Sequence, residues 1–315
     1  MPLDTLLNIV IPVFGIILTG FLARRFNVLN EASTEALNRF VYFIALPPLL
    51  FLSTARVALE TILNWPFIFA FMLATAIPFF IAVVGGRFLF GHRDASTLTL
   101  HGMAAVFANT VYMGIPLFLS AFGQDGTLPA VVATLSSNLV LVAVSVTALE
   151  IGRVRSRGPG RVGAQVGSAL LRNPILLSLL AGLLASSLAL PLPTVLESYL
   201  DLLARAAGPA ALFALGMSLY GQPMRGGLGE MSWLVFLKLL VSPVVGYVLA
   251  FQVFHLDPFW GVSLVLLAAM PTGATVFVLA QRYGTYVNRS SAAVVSSTAL
   301  SVLTLTALLI WARSG

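Results

Sequence analysis

The residues with the clearest chemical potential lie inside two long apolar segments that polar and helix-breaking residues interrupt. Residues 109–116 interrupt the segment 97–121, and residues 271–273 interrupt the segment 258–281. A break inside a helix frees N–H groups at the start of its second half and C=O groups at the end of its first half. The freed N–H end carries a partial positive charge and attracts anions. The two breaks therefore predict an anion-binding site.

Several side chains at these breaks could complete such a site. The carboxamide of Asn109 can donate and accept hydrogen bonds, and neighbouring hydroxyl groups add donors. The candidate binding residues are Asn109, Thr110, Tyr112, Gly114 and Pro116 in the first break, and Pro271, Thr272 and Gly273 in the second. A single Pro or Gly in a membrane helix is commonly a kink or a packing device. Paired interruptions in corresponding segments favour a binding role instead.

The composition predicts that most of the protein's surface faces lipid. The chain has 315 residues, of which 59% are hydrophobic and 9% are charged, whereas about a quarter of the residues in soluble domains are charged. A membrane-spanning helix needs about 20 apolar residues. The long apolar runs, such as 67–84, do not alternate with polar residues as the strands of a membrane β-barrel do. We therefore predict an all-α membrane protein.

Charged residues and Pro/Gly-rich stretches separate ten apolar segments, which we predict to be membrane spans. The spans are 6–23, 36–54, 65–90, 97–121, 128–150, 172–190, 199–220, 231–254, 258–281 and 290–312. Most arginines fall on the connections that share a side with the basic loop 151–171, which places that loop in the cytoplasm and the N-terminus outside. The predicted location is the cell membrane, either an inner or a plasma membrane, and the net charge of +6 needs no nucleic acid to explain it.

Five spans lie on each side of the basic loop, so the second half must enter the membrane from the opposite side. Two segments of span two and span seven match: Pro47 and Pro209 each begin a Pro-x-x-Leu-Phe sequence. Spans four and nine, and spans five and ten, match at nearly the same offset. The sequence therefore predicts an inverted repeat. Its parts are a first five-helix repeat over 1–150, a cytoplasmic linker over 151–171 and a second repeat over 172–315.

The distribution of charge favours an anionic substrate. All carboxylates fall in predicted loops or at helix ends, whereas proton and sodium carriers often place one at the membrane centre. Lys238 is the one clearly intramembrane charge in the predicted spans. Its side chain could reach the cytoplasmic surface or could face a cavity and hold substrate charge. We leave both alternatives open for Lys238 at this point.

No motif for catalysis or for a cofactor is recognisable. The chain has no Cys, no His-Glu-x-x-His sequence and no phosphate-binding loop. We therefore expect a protein that is not an enzyme, with no catalytic residues, no metal ligands, no cofactor and no nucleic-acid partner. His92 and His255 fall in predicted loops, and His101 is predicted to be structural.

The sequence resembles the auxin efflux carrier family, in particular its bacterial members, within the superfamily that includes bile-acid, arsenite and riboflavin-type transporters. The matching stretches extend over nearly the whole chain. They are IPVFGIILTGFLARR, LNRFVYFIALPPLLF, ANTVYMGIPL, PAALFALGMSL and AMPTGATVFVLAQRYG. Unlike the long plant members, this chain has no large central loop.

The resemblance implies two five-helix inverted repeats in which spans four and nine cross as broken helices. It also implies a scaffold domain, a transport domain that moves like an elevator, and a homodimer. It adds Ile115 to the residues around the crossover, with Pro47 and Pro48 flanking it. The expected function is transport of a small organic anion, auxin-like or malonate-like.

Two other functions remain open at this point. One is a sodium-coupled organic-anion symporter like the bile-acid transporters, although we find no cluster of acidic residues of the kind that binds their sodium. The other is a membrane sensor that binds a ligand on the same fold without transporting it. A proton or a sodium ion is the expected coupling partner if transport is coupled.

Overall fold

The structure, a computed structural model, describes residues 6–57, 59–137, 173–222 and 227–314, and these residues are predominantly helical. No strand forms within the described ranges. Six helices are long and apolar enough to cross a membrane: Asn8–Arg25, Glu31–Ala55, Glu60–Phe88, Thr194–Leu219, Leu228–Val253 and Val287–Ala312. The all-helical membrane fold is confirmed. The count of ten spans and the inverted arrangement remain predictions, and most of span five and the loop 151–171 lie outside the described residues.

The helices are numbered here in chain order. They are α1 Ile11–Arg25, α2 Glu31–Ala55, α3 Leu59–Ile62, α4 Trp65–Phe88, α5 Ala95–Val106, α6 Ile115–Phe122, α7 Leu128–Ser136, α8 Pro174–Ser187, α9 Thr194–Leu219, α10 Leu228–Val253, α11 Pro258–Ala268, α12 Thr275–Tyr283 and α13 Val287–Ser314. A wide π-helical turn, Thr110–Gly114, leads into α6, and another, Leu237–Val241, lies within α10.

The described residues form two compact units, each of which draws on both halves of the chain. The first unit takes its described residues from Met1–Asn64, Val111–Leu135 and Leu170–Gly221, and the second from Trp65–Thr110, Ser136–Ala169 and Gln222–Gly315. The predicted division into 1–150, 151–171 and 172–315 concerns repeats along the sequence, which these spatial units do not test. It remains a prediction.

In the first unit, glycines let helix backbones approach closely. A side chain at Gly216 of α9 would collide with the backbone of Ile17, and one at Gly20 of α1 would collide with the backbone of Phe213. Because each glycine faces the other helix's backbone, α1 and α9 pack in direct backbone contact, as small residues allow in membranes. Gly182 of α8 packs in the same way against α2.

In the second unit, capping residues set where α5 and α11 begin. The carboxylate of Asp94 accepts a hydrogen bond from the Thr97 N–H at 2.9 Å, and Asp257 accepts one from the Phe259 N–H at 3.0 Å. These caps satisfy N–H groups that have no partner inside the helix. The helices enclose an apolar core that includes Leu100, with α5, α10, α12 and α13 contributing.

Candidate functional site

Within the second unit, the residues that follow α5 and α11 meet at a short backbone bridge. Helix α5 ends at Val106 and α11 ends at Ala268, and the non-helical residues that follow them run antiparallel to each other. The Asn109 N–H donates to the carbonyl of Pro271 at 2.8 Å, and the Gly273 N–H donates to the carbonyl of Phe107 at 2.8 Å. The bridge pairs backbone groups that the helix ends would otherwise leave unsatisfied.

The break after α11 follows from its sequence. Pro271 has no N–H and disfavours a helical conformation in the residue before it. The helix accordingly closes with the Ala269 N–H bonded to the carbonyl of Val265 at 3.0 Å and the Met270 N–H bonded to that of Leu267 at 3.3 Å. The chain resumes a helix only at Thr275. The predicted interruption of this segment is therefore present in the structure.

No proline lies directly at the end of α5. Phe107 takes an extended conformation, with φ −66° and ψ 98°, and the helix resumes through the turn Thr110–Gly114. Pro116 is the second residue of α6 and follows the π-helical turn Thr110–Gly114 without a non-helical gap. The gap in this segment is therefore residues 107–109, and the bridge to Pro271 and Gly273 pairs its backbone groups.

Thr272 connects this bridge to two helices through hydrogen bonds. Its hydroxyl donates to the carbonyl of Ala104 on α5 at 2.7 Å, and its N–H donates to the hydroxyl of Ser297 on α13 at 2.9 Å. Thr272 is 1% exposed and Asn109 is 5% exposed. The N–H groups of Asn109, Thr272 and Gly273 are therefore occupied by protein acceptors. Donors for an anion must come from side chains or from the first turn of α12.

Lys238 points toward the end of α11. Its ammonium donates to the carbonyl of Ala268, the last residue of that helix, at 2.6 Å, and its side chain is buried with a residue exposure of 1%. The ammonium therefore lies inside the second unit, and a part for Lys238 in holding substrate charge remains a prediction.

A second polar cluster lies away from the bridge, around the carboxylate of Glu230 near the start of α10. One oxygen, Oε1, lies 2.7 Å from His92 Nε2, 3.0 Å from His101 Nδ1 and 2.6 Å from the Tyr286 hydroxyl. The other oxygen, Oε2, lies 3.0 Å from Nε of Arg289. Sequence reasoning missed this cluster because its members are far apart in the chain and fall in predicted loops or at helix ends.

The imidazole and carboxylate ligands of this cluster are of the kind that hold transition metals. The ligand atoms of His92, His101 and Glu230 all lie within 4.8 Å of one another. Ligand atoms around a tetrahedral ion with metal–ligand distances of about 2.0–2.2 Å are roughly 3.3 Å or more apart. The 2.7 Å and 3.0 Å contacts are shorter, and Arg289 supplies a cation already. The geometry favours a hydrogen-bonded network that ties α10, α5 and α13 together.

Comparison with known proteins identifies the family to which this chain belongs. A family model described as membrane transport protein matches residues 5–154 and 153–309. This chain belongs to the membrane transport protein family. The resemblance to bacterial members of the auxin efflux carriers is thereby confirmed, and the expectation of a membrane transporter is confirmed with it.

Three relatives show how far the similarity to known proteins extends. A protein of Rhizobium meliloti (strain 1021), named "Putative malonate transporter", is 32% identical over 98% of this chain and 96% of its own length. The transporter YfdV of Escherichia coli (strain K12) is 23% identical over 93% of this chain and 92% of its own. The lysosomal cholesterol signaling protein of Mus musculus is 26% identical over 78% of this chain but only 30% of its own.

Within this transporter, the structure brings part of the predicted site together. Asn109, Thr110, Pro271, Thr272 and Gly273 all belong to the second unit, and the bridge joins the two stretches. The other predicted binding residues belong to the first unit and are Tyr112, Gly114, Ile115, Pro116, Pro47 and Pro48. Of these, Gly114 ends the turn Thr110–Gly114, Ile115 and Pro116 begin α6, and Pro47 and Pro48 lie within α2. Their part in binding remains a prediction.

The Glu230 cluster gives the first testable prediction. Replacing Glu230 with Ala removes the acceptor shared by His92, His101 and Tyr286 and leaves Arg289 without its partner. We expect the free energy of unfolding to fall by about 1–3 kcal/mol, because buried donors lose their shared acceptor while the half-exposed Arg289 can be solvated. Chemical or thermal unfolding of the purified protein in detergent measures the change.

Glu35→Ala is the matched control for this substitution. Glu35 forms an ion pair with Arg39 on the same helix, and both side chains are exposed. Exposed ion pairs of this kind contribute about 0.3–0.5 kcal/mol. Equal losses of stability for Glu230→Ala and Glu35→Ala would contradict the assignment of the cluster as a buried structural network.

Proposed function

We propose that this chain is a secondary active transporter that moves a small organic anion by alternating access, with the substrate bound where α5 and α11 are interrupted. The observation that carries the proposal is the buried backbone bridge between Asn109 and Pro271. Interrupted helices in corresponding segments, with exposed half-helix ends, are the usual substrate sites of secondary transporters. Non-helical backbone is tolerated at membrane depth only where it is buried inside the protein or lines a cavity.

The charge of the described interior supports an anionic substrate. Glu230 and Lys238 are the formally charged residues that are buried in the described part of the chain. Glu230 is paired with Arg289, whereas Lys238 bonds to a neutral carbonyl at the end of α11. A buried cation without a carboxylate partner is costly unless another negative group approaches it. The end of α11 offers Lys238 a partial negative charge, and the carboxylate of a bound substrate would complete the neutralisation.

The name of one relative suggests the substrate class. The Rhizobium meliloti protein named as a malonate transporter aligns with this chain over nearly its whole length. We propose a small carboxylate as substrate, either a dicarboxylate of the malonate type or an auxin-like monocarboxylate. The carboxamide of Asn109 and the first turn of α12 are the proposed donors to its oxygens.

The finer architecture belongs to the same proposal. It comprises ten spans in two inverted repeats of five, spans four and nine as crossing broken helices, and a scaffold domain against which a transport domain moves. It also includes a homodimer in the cell membrane, with the N-terminus outside and the loop 151–171 in the cytoplasm. The second unit, which contains the bridge, is the proposed transport domain.

Uptake into proteoliposomes tests the proposal directly. Purified protein is reconstituted, and entry of radiolabelled malonate and of indole-3-acetate is followed with and without competing carboxylates. We expect saturable entry of at least one of them, with inhibition by unlabelled carboxylates. Liposomes without protein provide the background. Absence of protein-dependent flux for every carboxylate tested would contradict the proposal.

The same assay separates the two other candidate functions. Strict dependence of flux on a sodium gradient would favour a sodium-coupled symporter of the bile-acid type. Stabilisation of the purified protein by a ligand that never crosses the membrane would favour a sensor. The sensor function remains a candidate because the mouse relative is named a signaling protein.

A further inference from the structure

The broken helix α11 ends in the buried interior of the second unit, and its last carbonyls need donors. An α-helix leaves four carbonyls unpaired at its C-terminus, where the helix dipole also places a partial negative charge. Backbone N–H groups of Ala269 and Met270 serve the carbonyls of Val265 and Leu267. The carbonyl of Ala268 receives the ammonium of Lys238 at 2.6 Å instead.

Lys238 reaches this carbonyl from a buried stretch of α10. Lys238 lies in the π-helical turn Leu237–Val241, and Leu237 and Leu239 on either side are also buried. The nearest acid in its own helix, Glu230, is engaged with Arg289 and the two imidazoles. Within the described part of the chain, no ion pair involves Lys238. Among the described residues, the partial negative charge at the end of α11 is therefore what balances the positive charge of Lys238.

Carriers with broken helices commonly bind their coupling cation at this kind of place. Unwound carbonyls and the C-terminal ends of half-helices coordinate sodium or a proton in such proteins. A mobile cation there compensates the helix end and must be bound anew in each cycle. In this chain a covalently attached ammonium makes that contact, so the position at Ala268 is already filled.

We propose that Lys238 is a built-in counterion of α11 that takes the place of a mobile coupling cation. The proposal rests on the proposed function, since it assigns a transport role to the residue. Its consequence is that anion flux does not require an inorganic cation. A second consequence is that removing the side chain creates a cavity that a small cation can enter and in which it contacts the carbonyl of Ala268.

Two substitutions at one position test these consequences. Lys238→Ala removes the ammonium and its methylene groups and leaves space for ethylammonium, whereas Lys238→Met removes the charge but fills the space. Each variant and the wild type are purified in detergent, and the melting temperature is measured in choline chloride, sodium chloride and ethylammonium chloride at equal ionic strength. We expect ethylammonium to raise the melting temperature of Lys238→Ala relative to choline, without a comparable rise for Lys238→Met or the wild type.

Flux in proteoliposomes is the second readout. In choline buffer we expect Lys238→Ala to lose roughly tenfold or more in anion flux, as for loss of a hydrogen bond to a charged group. Ethylammonium is expected to restore the flux of Lys238→Ala but not that of Lys238→Met. Wild-type flux is expected to be the same in choline and in sodium. A wild type that needs sodium, or a Lys238→Ala variant as active in choline as the wild type, would overturn the proposal.

The melting-temperature readout separates this inference from the proposed function. Selective stabilisation of Lys238→Ala by ethylammonium supports the cation position even if no carboxylate is transported. Equal response of all three proteins to ethylammonium refutes it even if the wild type transports. If Lys238→Ala does not fold, wild-type flux that requires sodium still overturns the proposal.

Discussion

Replacement of Asn109 with Ala is expected to lower carboxylate flux by roughly 10- to 150-fold, the effect of losing one hydrogen bond to a charged group. The variant should remain folded. The bridge to Pro271 uses the backbone N–H of Asn109, which Ala retains, so the interruption of α5 is preserved. What is lost is the buried carboxamide, which we propose to contact the substrate.

The measurement is flux in proteoliposomes together with the melting temperature in detergent. Asn288→Ala serves as the control, because Asn288 is an exposed residue of α13. We expect the control to transport like the wild type. A folded Asn109→Ala variant with wild-type flux would remove this side chain from the substrate site. A variant that fails to fold would contradict the expectation that the backbone bridge is sufficient to preserve the fold at this point.

The second large effect is expected where α1 crosses α9. Substitution of Gly20 with Ala should cost about 1–3 kcal/mol or more, since an added methyl group in a closely packed interface must displace its neighbours. The neighbours of that methyl group are the backbone of Phe213 and Met217, which cannot rotate away as a side chain could. The two helices would have to separate along their contact.

Gly15 of the same helix provides a matched control. A methyl group at Gly15 meets nothing within 4 Å, and Ala favours a helix over Gly by about 1 kcal/mol. We therefore expect Gly15→Ala to be neutral or stabilising and Gly20→Ala to lower the melting temperature in detergent clearly. Similar melting temperatures for Gly20→Ala and the wild type would mean that the crossing of α1 and α9 is looser than described.

The breaks were predictable because their causes are local. Pro271 removes an N–H and restricts the residue before it, whatever the rest of the chain does. The structure indeed ends α11 at Ala268 and begins α12 at Thr275. The break after α5 was predicted from Asn109 and Pro116, and here the structure adds a cause that the local sequence does not contain. The cause is the pairing of Phe107 and Asn109 with the other segment.

The polar contacts of the second unit could not be predicted in the same way. Thr272 was expected to offer its hydroxyl to a ligand, yet that hydroxyl donates to Ala104, 168 residues away in sequence. The sequence offered Lys238 either the membrane surface or a cavity, whereas in the structure its ammonium contacts the last carbonyl of α11, a partner 30 residues away in the chain. The residues around Glu230 carry no motif, because hydrogen-bonded networks require proximity but no particular spacing.

The sequence alone determined that this protein is a helical membrane protein of a transporter family and where two of its helices break. Those properties follow from apolar length, from composition and from backbone chemistry that acts within a few residues. The tertiary structure alone decided what meets at the breaks: a backbone bridge, a threonine tied to two helices, and an ammonium on the last carbonyl of α11. Such partners are set by which helices pack together, since short-range hydrogen bonds form only between groups that folding has already brought within reach.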